Sequence, residues 1–372
     1  MANTDTVSGK RTVSLRSASR VLGTIYMRSK VNISGRGTPD METRKVQVTG
    51  GSTYTVSIPK TWATDNDVSA GTEVEFYPDG DSLFLSPRSE EERTRGTLDV
   101  TDLNGQALTR AVTTMYVSGF DIIELEGPKI TTEQRSMIRE AVQSLVGLEV
   151  LEETRDRVVI QDLLDSSELS IHNAVTRMRL ISLSMLSDAI SALAEHDHDL
   201  ARDVIGRDDD LDRLWLVVSR IFRATLRTPK AAEELGLPRE ACFDYHSSAR
   251  QLERIGDHAT KIAHLTLNIE DPLPDEVVDA VSDLHADAVE VIDTSMDALF
   301  AEESDEATRL ANEARTGVRA IDERVRAIDE LLRDLEPARA QLLGLVVDSV
   351  LRSADYGGNI AETALQKAAP TP

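Results

Sequence analysis

Residues 251–267 read QLERIGDHATKIAHLTL, and residues 349–365 read SVLRSADYGGNIAETAL. The stretches lie 98 positions apart and, without a gap, share Arg254/Arg352, Asp257/Asp355, Ile262/Ile360, Ala263/Ala361 and Leu267/Leu365. In both, apolar residues recur at three-to-four spacing, the period of a half-buried helix. Each copy sets an aspartate in the middle of that pattern. A chain that carries one such helix twice invites a search for the rest of the repeat.

Working outward, the chain reads as helix from residue 165 to its end. DSSELSIHNAVTRMRLISLSMLSDAISALAEH opens on Ser and Asp caps. HDHD makes a turn, LARDVIGRDDDLDRLWLVVSRIFRATLR is a second helix, and a loop with Pro229, Gly236 and Pro238 leads into a third, ACFDYHSSARQLERIGDHATKIAHLTLNI. After DPLPDE the plan recurs, and DAISALAEH near 188 matches DALFAEES near 297. Two three-helix bundles in tandem, 165–271 and 274–368, are expected.

Residues 44–86 have the other period. Val46 and Val48 alternate, a GGS turn follows, then Tyr54, Val56 and Ile58 alternate up to Pro59. KTWATDND gives a short helix, and Val74, Phe76, PDGD, Leu83 and Leu85 form a hairpin. This β–β–α–β–β unit is too small to bury a core alone, so pairing with a second copy is expected. Residues 89–95, SEEERTR, read as a charged linker. Residues 97–164 alternate strand and helix with no phosphate loop and no nucleophile motif, a small α/β unit that would serve as scaffold or ligand sensor. The fold class is therefore mainly α with a small β-rich head.

The chain has 372 residues and a net charge of −24, from 65 acidic and 41 basic side chains, of which eight are Lys. A surface this acidic repels nucleic acid unless basic groups cluster. It resembles the solvated surfaces of halophilic archaeal proteins. Residues 1–40 depart from it, with seven Lys or Arg against two Asp. They read either as a basic DNA-contacting arm or as sequence upstream of a start at Met41. Cys242 is the one cysteine, which excludes an intramolecular disulfide. No run of 18 apolar residues occurs, so no helical segment has the length to cross a bilayer, and a cytoplasmic location is expected.

Candidate chemistry lies in carboxylates. Glu253 and Asp257 are four apart on one helix, and Asp208 and Asp212 are four apart on its neighbour. Such pairs share a helix face one turn apart. Two on facing helices offer oxygen ligands to a hard cation. Without one the like charges repel. Histidines are weaker candidates: His196 and His198 in the HDHD turn, His258 beside Asp257, and His264 two turns on. Trp215, Leu216, Val217, Ile221 and Phe222 read as core.

LERIGDHATKIAH and VLRSADYGGNIAE resemble the two signature helices of the PhoU family, phosphate-uptake regulators built of two three-helix repeats. The head, with its glycine turn, TVSIPKTWA and EVEFYPDGDSLFLSPR, is similar to SpoVT/AbrB-type swapped-hairpin domains. The PhoU resemblance covers roughly 165–367. It implies metal ligands at Asp208, Asp212, Glu253 and Asp257, with iron, zinc, nickel or magnesium as candidates. The second repeat departs from the pattern: Leu351 and Val318 stand where acids belong. Asp322 and Asp355 persist as a weaker pair, Asp322 being ambiguous because VRAID occurs twice. At most one well-formed site is expected, in the first bundle. The head resemblance covers 41–90 and implies a homodimer. It leaves Arg44, Lys45, Lys60 and Arg88 as phosphate contacts on DNA, because Thr64, Asp65 and Asp67 replace the usual basic residues. The combination implies a non-enzymatic regulator of phosphate genes. The alternative is an adaptor for a phosphate ABC transporter or sensor kinase that leaves DNA alone. A metal-dependent enzyme is a further alternative, though no E-x-x-H histidine accompanies Glu253.

Overall fold

The computed structural model describes residues 42–88, 93–163 and 170–370. The chain is mainly helical with a small β-rich head. The basic stretch 1–40 lies outside the described residues, as does most of the charged linker.

In the head, β1 (Gln47–Thr49) pairs antiparallel with β2 (Thr53–Thr55) across Gly50 and Gly51, both at positive φ. A short helix α1 (Lys60–Asp65) follows Pro59. Then β3 (Val74–Asp79) pairs with β4 (Ser82–Pro87) around Gly80. The two hairpins do not join into one sheet. The alternation read from sequence is correct, but much of its apolar face is exposed: Val48 is 62% exposed, Tyr54 77% and Phe76 55%. Tyr77 is the one buried hydrophobic among the described head residues.

The α/β unit runs β5 (Arg95–Asp99), α2 (Gly105–Val117), β6 (Ile122–Glu126), α3 (Thr132–Gln143), β7 (Leu148–Glu153) and β8 (Arg157–Asp162). Its sheet order is β5-β6-β8-β7, with β5 and β6 parallel and the other pairs antiparallel. Leu98, Ile123, Leu125, Val158 and Ile160 pack with Leu108, Val112, Met115 and Ile138 of the helices to form its core. Thr131 and Gln134 build a full capping box at the start of α3.

The helical body holds α4 (Ile171–Glu195), α5 (His198–Arg227), α6 (Pro229–Leu235), α7 (Arg239–Thr266), α8 (Asp275–Phe300), α9 (Ser304–Leu332) and α10 (Pro337–Ala368). Ser170 caps α4, and His196 ends it in the left-handed region at φ 56°. Asp197 caps α5 by accepting from the N–H groups of Asp199 and Leu200 at 2.9 and 3.0 Å. The long helices thus fall where the sequence places them.

One feature differs from the sequence reading, and a second lies beyond what it addressed. The loop around Pro229 is partly a helix: Thr228 caps it, Pro229 occupies its first turn, and Gly236 closes it at φ 63°. The corresponding α9–α10 connection, Arg333–Glu336, is four residues long and carries no helix. The two bundles are also not separately cored. One apolar cluster runs from Val175 through Leu252 and Ile262 to Val291, Val350 and Ile360. It forms because α7 packs against α10 as well as against α4 and α5.

α5 also serves the α/β unit. The Nη1 of Arg220 donates to the Tyr116 and Phe120 carbonyls at 2.6 and 3.2 Å, and its Nη2 pairs with Asp162 at 2.7 Å. Its guanidinium lies 4.9 Å from the Tyr116 ring centroid. Arg220 and Asp162 are each 8% exposed, so this is a buried ion pair joining two parts of the chain.

Candidate metal centre

Asp208 and Asp212 project from α5, and Glu253 and Asp257 from α7. What lets the two helices meet here is Gly256. A Cβ at that position would lie 2.2 Å from Cδ2 of Leu211, well inside contact distance. Leu211 adjoins Asp212 and Gly256 adjoins Asp257. A close approach of the helices therefore sits beside the acidic positions.

The charges feel one another. Loss of hydration pushes the Asp212 carboxyl up to about 6, and the neighbouring Asp208, Asp257 and Asp209 add to the push while Arg250 opposes it. Burial pushes Glu253 up to about 7, with Asp257 adding and Arg250 opposing. Asp257 and Asp208 are also raised, both chiefly by desolvation. Glu253 is buried and Asp208 half-buried, whereas Asp212 and Asp257 stand exposed, so the crowding of like charge is felt most strongly at Glu253.

The direct partners are few. Thr260 donates to Asp208 Oδ1 at 3.2 Å. Arg250 Nη1 donates to Glu253 Oε1 at 2.6 Å. The other oxygen, Glu253 Oε2, is buried with no hydrogen-bond partner. A buried carboxylate oxygen left unpaired is costly, and a cation would satisfy it. In donor chemistry, carboxylate oxygens and this orphaned atom suit a hard cation. Among the described residues, no three acid, histidine or cysteine side chains are gathered closely enough to close on one ion as they stand.

In the second repeat, loss of hydration raises the Asp355 carboxyl, Arg352 opposes this, and Asp322 and Asp348 add to it. Arg352 pairs with Asp355 at 3.6 Å. Leu351 and Val318 pack against the core at the two substituted positions.

The histidines divide. His264 is close enough to Asp208 to lower its pKa. His258 faces α10 instead, 5.7 Å from Tyr356, among Lys261, Asp348 and Arg352. The His196 and His198 rings lie 4.7 Å apart in their turn. Of the head's basic residues, Arg44 pairs with Glu42, and Arg88 pairs with Glu73 at 2.6 Å. Lys45 and Lys60 are exposed.

Arg250 and Arg220 were not singled out in the sequence. Arg250 carried a signal: Arg254 and Arg352 recur in the repeat, while one turn earlier Arg250 aligns with Asp348, a reversal of charge. Arg220 carried none, because its partners lie far off in the sequence, Asp162 on β8 and the Tyr116 and Phe120 carbonyls about a hundred residues away.

With this geometry in place, the likenesses to known proteins can be placed on it. Residues 175–266 match the PhoU domain family, and residues 47–93 match the family described as antidote-toxin recognition MazE, bacterial antitoxin. The chain is 34% identical over 89 residues to phosphate-specific transport system accessory protein PhoU homolog 1 of Thermotoga maritima. That stretch is 24% of this chain, and it spans 36% of that relative's length. PhoU from Pseudomonas aeruginosa is a similar solved structure at 23% identity and TM-score 0.43, covering 52% of this chain and 93% of that one. The phosphate transport system regulatory protein PhoU from Streptococcus pneumoniae is similar at 20% identity and TM-score 0.42, covering 52% and 91%. The chain is thus a helical-repeat protein with an acidic face between two helices. The PhoU family match falls on α4, α5, α6 and α7, and the MazE family match on the hairpins of the head.

Proposed function

We propose that this chain is a non-enzymatic regulator of phosphate uptake whose helical body binds a hard cation and whose head pairs two copies and contacts DNA. The observation that carries the reading is where the two family matches fall. One lies on the helices that hold Asp208, Asp212, Glu253 and Asp257, the other on the two hairpins. The PhoU homolog of Thermotoga maritima is named as an accessory of phosphate transport, and the same role is inferred for this chain.

The cation would be held by the four carboxylates of the first repeat, with Asp322 and Asp355 a weaker second place. It would supply positive charge that lets both helices keep their acids ionised. Each residue's part is simple. Glu253 offers a buried oxygen, Asp208 is steadied by Thr260, and Asp212 and Asp257 complete the face from either helix. Iron, zinc, nickel and magnesium all accept such oxygen ligands to some degree.

The exposed faces of β1, β2 and β3 support a homodimer. A two-stranded hairpin is marginal alone, and a second copy would cover Val48, Tyr54 and Phe76. A dimeric head would set two copies of Arg44, Lys45, Lys60 and Arg88 against phosphates. The pairing of Arg44 and Arg88 with glutamates favours a second reading, an adaptor that docks on a phosphate transporter or sensor kinase without contacting DNA. Among the described residues no helix is long and apolar enough to cross a membrane.

The test uses the whole chain. Its mass in solution is measured first, then its binding to fragments upstream of phosphate-transport genes across a salt series. A dimer whose DNA affinity falls steeply with salt supports the regulator. A dimer that ignores DNA but captures a transporter or kinase subunit supports the adaptor. A monomer that does neither would sink both.

A further inference from the structure

We propose that Arg250 is the resident counter-ion of the acidic face, and that it leaves when a cation enters. The first bundle would then exchange an arginine for a metal. This rests on the cation reading above and adds a residue that controls it.

Arg250 starts on α7 and reaches across the face. Its Nη1 donates to Glu253 Oε1 at 2.6 Å, and its guanidinium lies 5.3 Å from the ring centroid of Trp215 on α5. Trp215 is three positions beyond Asp212. The arginine therefore spans the two helices that carry the four acids. Among the described residues, it is the one cation in ion-pair contact with any of the four. It opposes the raised pKa of Asp212, Glu253 and Asp257 alike.

The two partners differ in freedom. The Arg250 side chain is 41% exposed, whereas that of Glu253 is 10% exposed. The carboxylate is fixed by packing, and the arginine is not. A cation arriving at Glu253 would meet Oε2 free and Oε1 occupied by a like charge. A dication and a guanidinium cannot share one carboxylate at contact distance without strong repulsion. The exposed partner is the one that can move, and water receives it at little cost.

The repeat supplies an internal control. The position aligned with Arg250 is Asp348, and the position aligned with Glu253 is Leu351. The second bundle lacks both the buried glutamate and the arginine that neutralises it. An arginine kept for helix surface charge alone has no reason to be absent only where the glutamate is absent.

The experiment uses the full-length, chelator-treated protein with Trp62→Phe, which leaves Trp215 as the sole indole. Zn2+ is titrated by calorimetry and by Trp215 emission at low ionic strength. In the parent, Zn2+ binding changes the emission, because the guanidinium leaves the ring. Arg250→Met binds Zn2+ about tenfold tighter, since nothing has to be displaced, and its emission no longer responds. Arg250→Lys, which keeps the charge without the planar fork, lies between the two and serves if the methionine variant does not fold. Equal or weaker Zn2+ affinity in Arg250→Met and Arg250→Lys overturns the proposal while leaving the cation site standing. No Zn2+ uptake by parent or variants overturns both.

Discussion

Replacing Arg220 by alanine should lower stability by about 3–5 kcal/mol, the largest effect expected of any single change outside the helical core. The reason is geometric. Arg220 satisfies two carbonyls of the α2–β6 connection and neutralises Asp162 at the end of β8, all from the surface of α5. Removing it takes the close cation from a buried carboxylate and the donor from two carbonyls together. The α/β unit would lose its hold on α5. Thermal unfolding should begin about 10 °C lower. A double variant, Arg220→Met with Asp162→Asn, should recover much of the loss, because no uncompensated charge remains. If Arg220→Ala melts with the parent, the link between the two parts of the chain is not the one described.

The second large effect is one of pH. The folded chain holds Glu253 up to about 7 and Asp212 up to about 6. A carboxylate raised on folding favours the folded state while protonated. Its contribution is complete below the ordinary carboxylate range near pH 4 and is lost as pH rises through the folded value. The metal-free protein should therefore become less stable from about pH 4 to pH 7, with Glu253 alone accounting for about 3 kcal/mol of the decline. Glu253→Gln should flatten that slope and exceed the parent in stability above pH 7 under chelation. Adding a cation should restore the parent but not the variant. Denaturant midpoints measured across this range decide the matter. A parent that gains stability from pH 4 to pH 7 would show that these acids are not crowded.

Much of this was legible in the sequence because it is local or periodic. The 98-residue recurrence of Arg254, Asp257, Ile262 and Ala263 announces the repeat, and the alternation around Tyr54 and Phe76 announces the head. The spacing of Glu253 and Asp257 places them on one face without any structure. Three things were not legible. α6 looked like a loop because its seven residues, between Thr228 and Gly236, are too few to show a helical period. The single core joining both bundles depends on how α7 meets α10, which no local pattern encodes. The chemistry of the acidic face depends on Gly256 and Arg250. The glycine reads as a helix weakness until Leu211 is seen against it, and the arginine reads as surface charge until it is seen on Glu253 and Trp215.

The central claim is that α5 and α7 hold the acids of the first repeat close enough for a cation to be drawn among them. The most direct test is the metal content of the purified full-length chain and of Asp257→Ala, each loaded with metal, dialysed and analysed side by side. The account predicts a stoichiometric amount of metal in the parent and a trace in the variant. Equal metal in both, or none in either, would contradict it.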